Sequence, residues 1–307
     1  MLKFLAWAMM IFLTSPAFAG DAGPRVVTSI APLHSLAAQV MAGTGEPTLL
    51  MDAAASPHSF ALKPSQVRAL ARADLVIWIG GALEPSLQSV IASLPPRQQV
   101  LTLIESRALQ RLANRRQAAE RSRQAGVGDV IDPHLWLDPD NARHIIRLIA
   151  TRLQTLDPAH AALYARNAAQ ADARLRALSH AIAARLEPLH DTPFMVFHDA
   201  YQYLEYRFPL NNVGIIRSHP EQGASARRLR RIAHDAKAAN VACIFAEPQF
   251  AAASLRLFQN TTRVHYLDPL GRGLPAGPDL YQKMMERLID TLAGCLEHTA
   301  DGNGMTR

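Results

Sequence analysis

Three histidines stand in distinct local settings: Ser56-Pro57-His58-Ser59-Phe60, Asp132-Pro133-His134-Leu135-Trp136 and Val196-Phe197-His198-Asp199-Ala200. They lie 76 and then 64 residues apart, so no single helix turn or hairpin holds them together. Each sits where an apolar, strand-like run gives way to a loop or a helix start. Imidazole is the commonest side-chain ligand for zinc and its neighbours in the first transition row. Three of them brought from distant loops would close a cation site in a cleft. Asp268, in Tyr266-Leu267-Asp268-Pro269-Leu270-Gly271, follows another apolar run and is the candidate fourth ligand. Three imidazoles and one carboxylate suit Zn²⁺ better than Ca²⁺ or Mg²⁺, which take oxygen.

The competing readings are of other kinds. The chain holds 12 histidines, so three in loops do not by themselves make a site. His219, before Pro220, and His265 are the other two with unusual settings, and the rest read as helix-surface or helix-end residues. Asp268 before Pro269 also reads as a turn residue. Three histidines with an open position form the catalytic zinc site of some hydrolases, for which Glu247 would be the general base. No HExxH or comparable local motif supports that reading.

The elements that must position these residues read as alternating strands and helices. Strands are expected at 25–30, 48–51, 75–79 and 100–103, with helices over 32–41 and 63–72 and a further helix over 141–153. The alternation restarts with strands at 194–197, 212–215, 243–246 and 264–267 and helices over 200–206, 226–240, 252–261 and 280–296. Continuous apolar strands between helices indicate parallel sheets covered on both faces. Between the two series, residues 158–186 contain no glycine and no internal proline, and apolar residues recur at helical spacing. Asp157 is the candidate cap and Pro158 the first helical residue. Such a helix would run about 43 Å at 1.5 Å per residue. The expected domains are therefore a first α/β lobe over 20–156, a long linking helix over 157–187, and a second α/β lobe over 188–307. In open parallel sheets ligands bind beyond the carboxyl ends of the strands. His58 and His134 would come from the first lobe, and His198 and Asp268 from the second.

The N-terminus reads as a secretory signal peptide: Lys3, an apolar run from Phe4 to Leu13, then Ala17-Phe18-Ala19 as the cleavage pattern. The run is too short for the roughly 20 residues of a spanning helix. Residues 1–19 are set aside, and the remaining chain is expected to be exported and soluble. The net charge is +6. The arginines are densest between Arg97 and Arg123, including Arg107, Arg111, Arg115, Arg116 and Arg121. No nucleic-acid recognition motif accompanies them, so they read as a solvated helix or mobile loop, an excursion from the fold. Cys243 and Cys295 are the only cysteines. An even count in an exported chain suggests one disulfide, closing a loop worth roughly 4 kcal/mol in the chain-entropy model. A share in a metal site is the alternative, although neither cysteine belongs to a CxxC pair.

A set of segments, in order over nearly the whole mature chain, resembles the metal-binding solute-binding proteins of bacterial ABC transporters. They are Thr28-Ser29-Ile30-x-Pro32-Leu33, Pro57-His58-x-Phe60-x-Leu62-x-Pro64-Ser65, Ala73-Asp74-Leu75-Val76-Ile77-Trp78, Asp132-Pro133-His134-Leu135-Trp136-Leu137-Asp138-Pro139, Val196-Phe197-His198-Asp199-Ala200-Tyr201, Phe245-Ala246-Glu247-Pro248-Gln249-Phe250 and Leu267-Asp268-Pro269-Leu270-Gly271. The similarity is greatest to the periplasmic zinc-binding branch. The resemblance implies two α/β lobes joined by one long rigid helix. It implies a Zn²⁺ ion held in the interlobe cleft by His58, His134 and His198, with Asp268 or water completing the site. The cysteines match a disulfide of the zinc branch. The implied partners are a membrane permease and its ATPase, the implied location is the periplasm, and the chain is expected to be a monomer and not an enzyme. A manganese carrier of the same fold is the alternative, disfavoured by the three-histidine set. Two departures stand out. The segment over 105–130, rich in His, Asp and Glu in many members, is Arg-rich here and has no histidine. Pro57 replaces a glutamate that precedes the first histidine in some members.

Overall fold

The computed structural model describes residues 23–115, 130–217, 225–250, 258 and 262–300. The expected signal peptide, residues 116–129 of the Arg-rich segment, His219, and the helix over 252–261 apart from Phe258 lie outside the described residues.

Two four-stranded parallel sheets carry the fold. The first contains β1 (Val26–Thr28), β2 (Thr48–Leu49), β3 (Leu75–Trp78) and β4 (Gln99–Thr102), in spatial order β2-β1-β3-β4. The second contains β5 (Phe194–His198), β6 (Asn212–Arg217), β7 (Cys243–Ala246) and β8 (Arg263–Tyr266), in order β6-β5-β7-β8. The two orders are the same. In each sheet the first strand lies inside, its successor flanks it on one side, and the remaining pair extends on the other. That reversal is the place where such sheets open a crevice.

The helices follow from the same sequence features. α1 (Ala31–Val40) is buried at all ten positions; seven are apolar, and the polar His34, Ser35 and Gln39 bond to Pro47 O, Pro278 O and Arg174. It is covered by α4 (Pro139–Leu156), α5 (Ala161–Leu186) and α8 (Leu280–Ala300). α2 (Pro64–Arg72), α3 (Pro85–Ala92) and α4 each begin on proline, whose missing N–H costs nothing there. α3 is absent from the sequence reading, yet Pro85 followed by Leu87, Val90 and Ile91 is the pattern of a short amphipathic helix. In the second sheet, α6 (Gln202–Arg207) follows β5 and α7 (Ala226–Ala238) follows β6.

The long linking helix is present with a different start. Pro158–His160 form a 3₁₀ turn and α5 begins at Ala161, giving about 39 Å of helix. Asp157 caps neither element through its side chain. Its carboxylate instead accepts from Tyr164 Oη and His160 Nδ1, both at 2.8 Å. Along α5 the buried residues Tyr164, Ala168, Ala171, Leu175, Leu178, Ile182 and Leu186 form one stripe at three- and four-residue spacing. Asn167 on the same helix donates to Val40 O and Ala42 O at 2.9 and 2.8 Å, satisfying carbonyls at the end of α1.

One continuous core runs from the first sheet through α1, α4, α5 and α8 to one face of the second sheet. A smaller core lies on that sheet's other face, beneath α7. β5 shows the division by strand alternation: Phe194 and Val196 join the large core, Met195 and Phe197 the small one. Cys243 at the start of β7 and Cys295 on α8 form a disulfide.

Candidate metal centre

Strand alternation aims the first histidine. His198 continues the Phe194, Val196 series, so it leaves β5 on the face turned toward the rest of the molecule. Glu247 relates to Phe245 at the end of β7 in the same way, and β5 and β7 are neighbours. The two side chains meet, with His198 Nδ1 3.0 Å from Glu247 Oε1. Both are 4% exposed.

His134 is set by a local turn. Asp132 Oδ1 accepts from the backbone N–H of His134 at 3.0 Å and stands 2.8 Å from its Nδ1. The turn is anchored in turn, because Tyr203 Oη donates to Asp132 O at 2.9 Å and Trp136 Nε1 to Pro269 O at 2.7 Å. A carboxylate only accepts, so in the neutral ring Nδ1 carries the proton at both His134 and His198. Each then offers Nε2, bearing a lone pair, to a cation.

His58 belongs to the loop between β2 and α2 and is half-buried, whereas His134 and His198 are buried. Its loop is short-range in build. Asp52 Oδ1 accepts from Ala54 N at 2.7 Å, and Gln66 on α2 bonds back to Leu50 O and Lys63 N.

The three rings converge. Their centroids stand 5.7 Å apart for His58 and His134, 5.2 Å for His58 and His198, and 5.0 Å for His134 and His198. One ring nitrogen of each lies within 4.8 Å of the others. Tetrahedral coordination at about 2.0–2.1 Å puts ligand nitrogens roughly 3.4 Å apart. Closing that gap takes side-chain shifts on the order of an ångström, with no rearrangement of the fold. Trp136, Phe250, Pro269 and Leu270 wall the cavity, which encloses about 10 Å³. That is the room of one small ion or water.

The acidic groups nearby are already engaged. Burial opposes charge on His134, but the adjacent Asp132 carboxylate outweighs it and holds the ring's pKa above the usual 6.5. Asp199, next to His198, is buried and accepts from Arg115 Nη2 at 2.6 Å, and Arg115 Nη1 reaches Glu205 at 2.6 Å. Arg115 is therefore a cross-link between the Arg-rich segment and the second lobe, contrary to the solvated reading at that one residue. Asp268, expected as the fourth ligand, is not in the cluster. Its Oδ1 accepts from Gln249 Nε2 at 2.8 Å and Leu270 N at 3.1 Å, and its Oδ2 accepts from Arg272 N. His265 lies on β8 beside Phe245, away from the three rings. Sequence reasoning also missed the orienting role of Asp132 and considered Glu247 only as a base. The first was signalled by a carboxylate two residues before a histidine, the second by a carboxylate just beyond a strand.

The family described as "Zinc-uptake complex component A periplasmic" matches residues 26–295. The high-affinity zinc uptake system protein ZnuA of Brucella abortus is 34% identical over 326 residues, covering 95% of this chain and 97% of that protein. Among solved structures, a crystal structure of ZnuA superposes with a TM-score of 0.76 at 23% identity, over 89% of this chain and 99% of the other. The solute-binding protein FpvC of Pseudomonas aeruginosa, solved with Mn²⁺, gives a TM-score of 0.75 at 25% identity, over 90% and 99%.

Proposed function

We propose, from the premise that this chain belongs to the ZnuA family of periplasmic zinc-uptake components, that it captures Zn²⁺ through His58, His134 and His198. The observation that carries the reading is the convergence of three imidazoles on a cavity of about 10 Å³, two of them oriented by buried carboxylates. Three nitrogen donors suit Zn²⁺, while manganese sites take more carboxylate, so zinc is favoured over the manganese alternative. A cavity of that size admits an ion and no organic substrate, which favours a carrier over a hydrolase.

Capture works on neutral rings. Nδ1–H of His134 and His198 donates to Asp132 and Glu247, which fixes the tautomer, steers Nε2 and raises ring basicity. The tautomer of each ring is then set before the cation arrives, and only the ångström-scale side-chain shift remains. His58 joins from its loop and completes the set from the exposed side. As the binding component of an ABC transporter, the protein delivers the ion to a membrane permease driven by its ATPase, acting as a monomer and catalysing no reaction. It reaches the periplasm by a signal peptide cleaved after Ala19. N-terminal sequencing of the exported protein checks that cleavage.

The decisive experiment titrates metal-free protein with Zn²⁺ against a competing chelator, for the wild type and for H58A, H134A and H198A. Tight 1:1 binding lost in each variant supports the site. Unchanged affinity in all three would remove it.

A further inference from the structure

Gln249 is the residue of the cavity wall whose hydrogen bonds are most informative. It stands in the turn after β7, two residues beyond Glu247. Its amide nitrogen donates to Ala53 O at 3.2 Å and to Asp268 Oδ1 at 2.8 Å. Both partners are acceptors, which fixes the amide's orientation: the NH₂ group must face them and the oxygen must face the other way. Ala53 belongs to the loop that carries His58, and Asp268 follows β8. One side chain of the second lobe therefore ties down the loop bearing the most exposed histidine and engages the one carboxylate expected to act as a ligand.

The other end of the amide is left over. Gln249 Oε1 is buried and has no hydrogen-bond partner among the described residues. An orphaned acceptor of this kind costs about 1–3 kcal/mol, so its persistence asks for a compensating partner. Gln249 lines the same cavity as His58, His134 and His198.

We propose that Gln249, and not Asp268, is the fourth member of the cation site. Its amide oxygen supplies the fourth position, directly or through one water, while its amide nitrogen holds Asp268 outside. This rests on the zinc-capture reading and deepens it. The donor set becomes three imidazoles and a neutral oxygen. With no carboxylate in contact the ion keeps its full charge, and hard cations such as Mn²⁺ gain least from such a set.

D268N and Q249L separate the two candidates. An asparagine at 268 still accepts from Gln249 Nε2 and Leu270 N through its oxygen, so the tie to Gln249 survives while the negative charge and the bond from Arg272 N go. Leucine at 249 keeps the volume and removes both amide ends. Zn²⁺ affinity is expected to fall at least about tenfold in Q249L and to stay within about threefold of wild type in D268N. With Co²⁺ as the probe, the visible d–d spectrum of D268N should superpose on that of the wild type and that of Q249L should differ. A merely structural role for Gln249 would lower the melting temperature of the metal-free protein and leave the Co²⁺ spectrum alone. A larger loss in D268N than in Q249L, or a changed Co²⁺ spectrum in D268N, overturns the proposal, and the D268N readings stand even if Q249L does not fold. Because wild type and the three histidine variants are titrated alongside, failure here is distinct from failure of zinc capture itself.

Discussion

The two sheets share one strand order, yet their crevices have opposite fates. In the second, the inner strands β5 and β7 end on His198 and Glu247, a base and a carboxylate that face the interior and pair. In the first, the corresponding strands β1 and β3 run out into Ser29 and into the turn that leads to Glu84. Glu84 is fully buried, and its Oε2 accepts from Ile79 N and Gly80 N, both at 3.0 Å. There the carboxylate closes a backbone turn and no histidine stands beside it. The first lobe brings His58 and His134 toward His198 from elsewhere, through the loop after β2 and the turn at Asp132. Identical topology therefore supplies a place for chemistry without dictating its use, and the residues at the strand ends decide.

That contrast can be broken most forcefully at the ligands. H198A should cost about a thousandfold in zinc affinity, since structural zinc sites share roughly 10–16 kcal/mol among their ligands. E84Q should leave zinc affinity unchanged in the same titration. If E84Q weakened binding comparably, the first crevice would belong to the site after all.

Next in size is a stability effect confined to the first crevice. Burial pushes the Glu84 carboxyl up to about 7, from 4.5. A folded-state value above the unfolded one means that the stabilising neutral form is fully present below about pH 4.5 and is lost as pH rises through 7. E84Q, which stays neutral, should match wild type at pH 4.5 and exceed it by roughly 3 kcal/mol at pH 8. Urea unfolding of the metal-free proteins at the two pH values measures this, and equal curves at pH 8 would refute it.

Smaller again is the loss on removing an orienting carboxylate. E247A should weaken zinc binding by about 10–100-fold while leaving one ion per chain. The smallest effect is a displacement in pH. Binding needs neutral rings, and the raised pKa of His134 means that protons begin to compete above pH 6.5. Zinc affinity should therefore fall on acidification from near neutrality. D132N should move that fall to lower pH, as isothermal titrations across pH 5.5–8 would register.

Periodicity made most of this fold legible. Alternating apolar runs and helical stripes located both sheets and the linking helix, because strands buried on both faces and a one-sided helix stripe leave clear traces in composition. The three histidines were legible for a related reason, as each interrupts an apolar run at a strand end or turn. What escaped depends on which hydrogen bonds close in space. Asp268 sits where a ligand would be expected, and its oxygens also accept from Gln249 and two backbone amides. Arg115 looks like one more surface cation until Asp199 and Glu205 are seen to enclose it. Asp157 stands at a helix start and yet spends its carboxylate on Tyr164 and His160. Apart from His160, three residues on from Asp157, no spacing rule anticipates these partners.

Helix α8 has a bearing on the order of events in folding. α8 is fastened to β7 by the Cys243–Cys295 bond, yet it packs on α1, and Ser35 Oγ of α1 accepts from Tyr281 N at 2.9 Å. The first described helix thus completes its burial only when α8 is in place. Contacts between residues nearly 250 positions apart make a slow, late-closing topology. Until the residues of α8 are in place, α1 lacks one wall of its burial and the chain cannot reach its final packing. A stop codon placed before Leu280 should accordingly yield, not a protein short of one helix, but a first lobe that never seals.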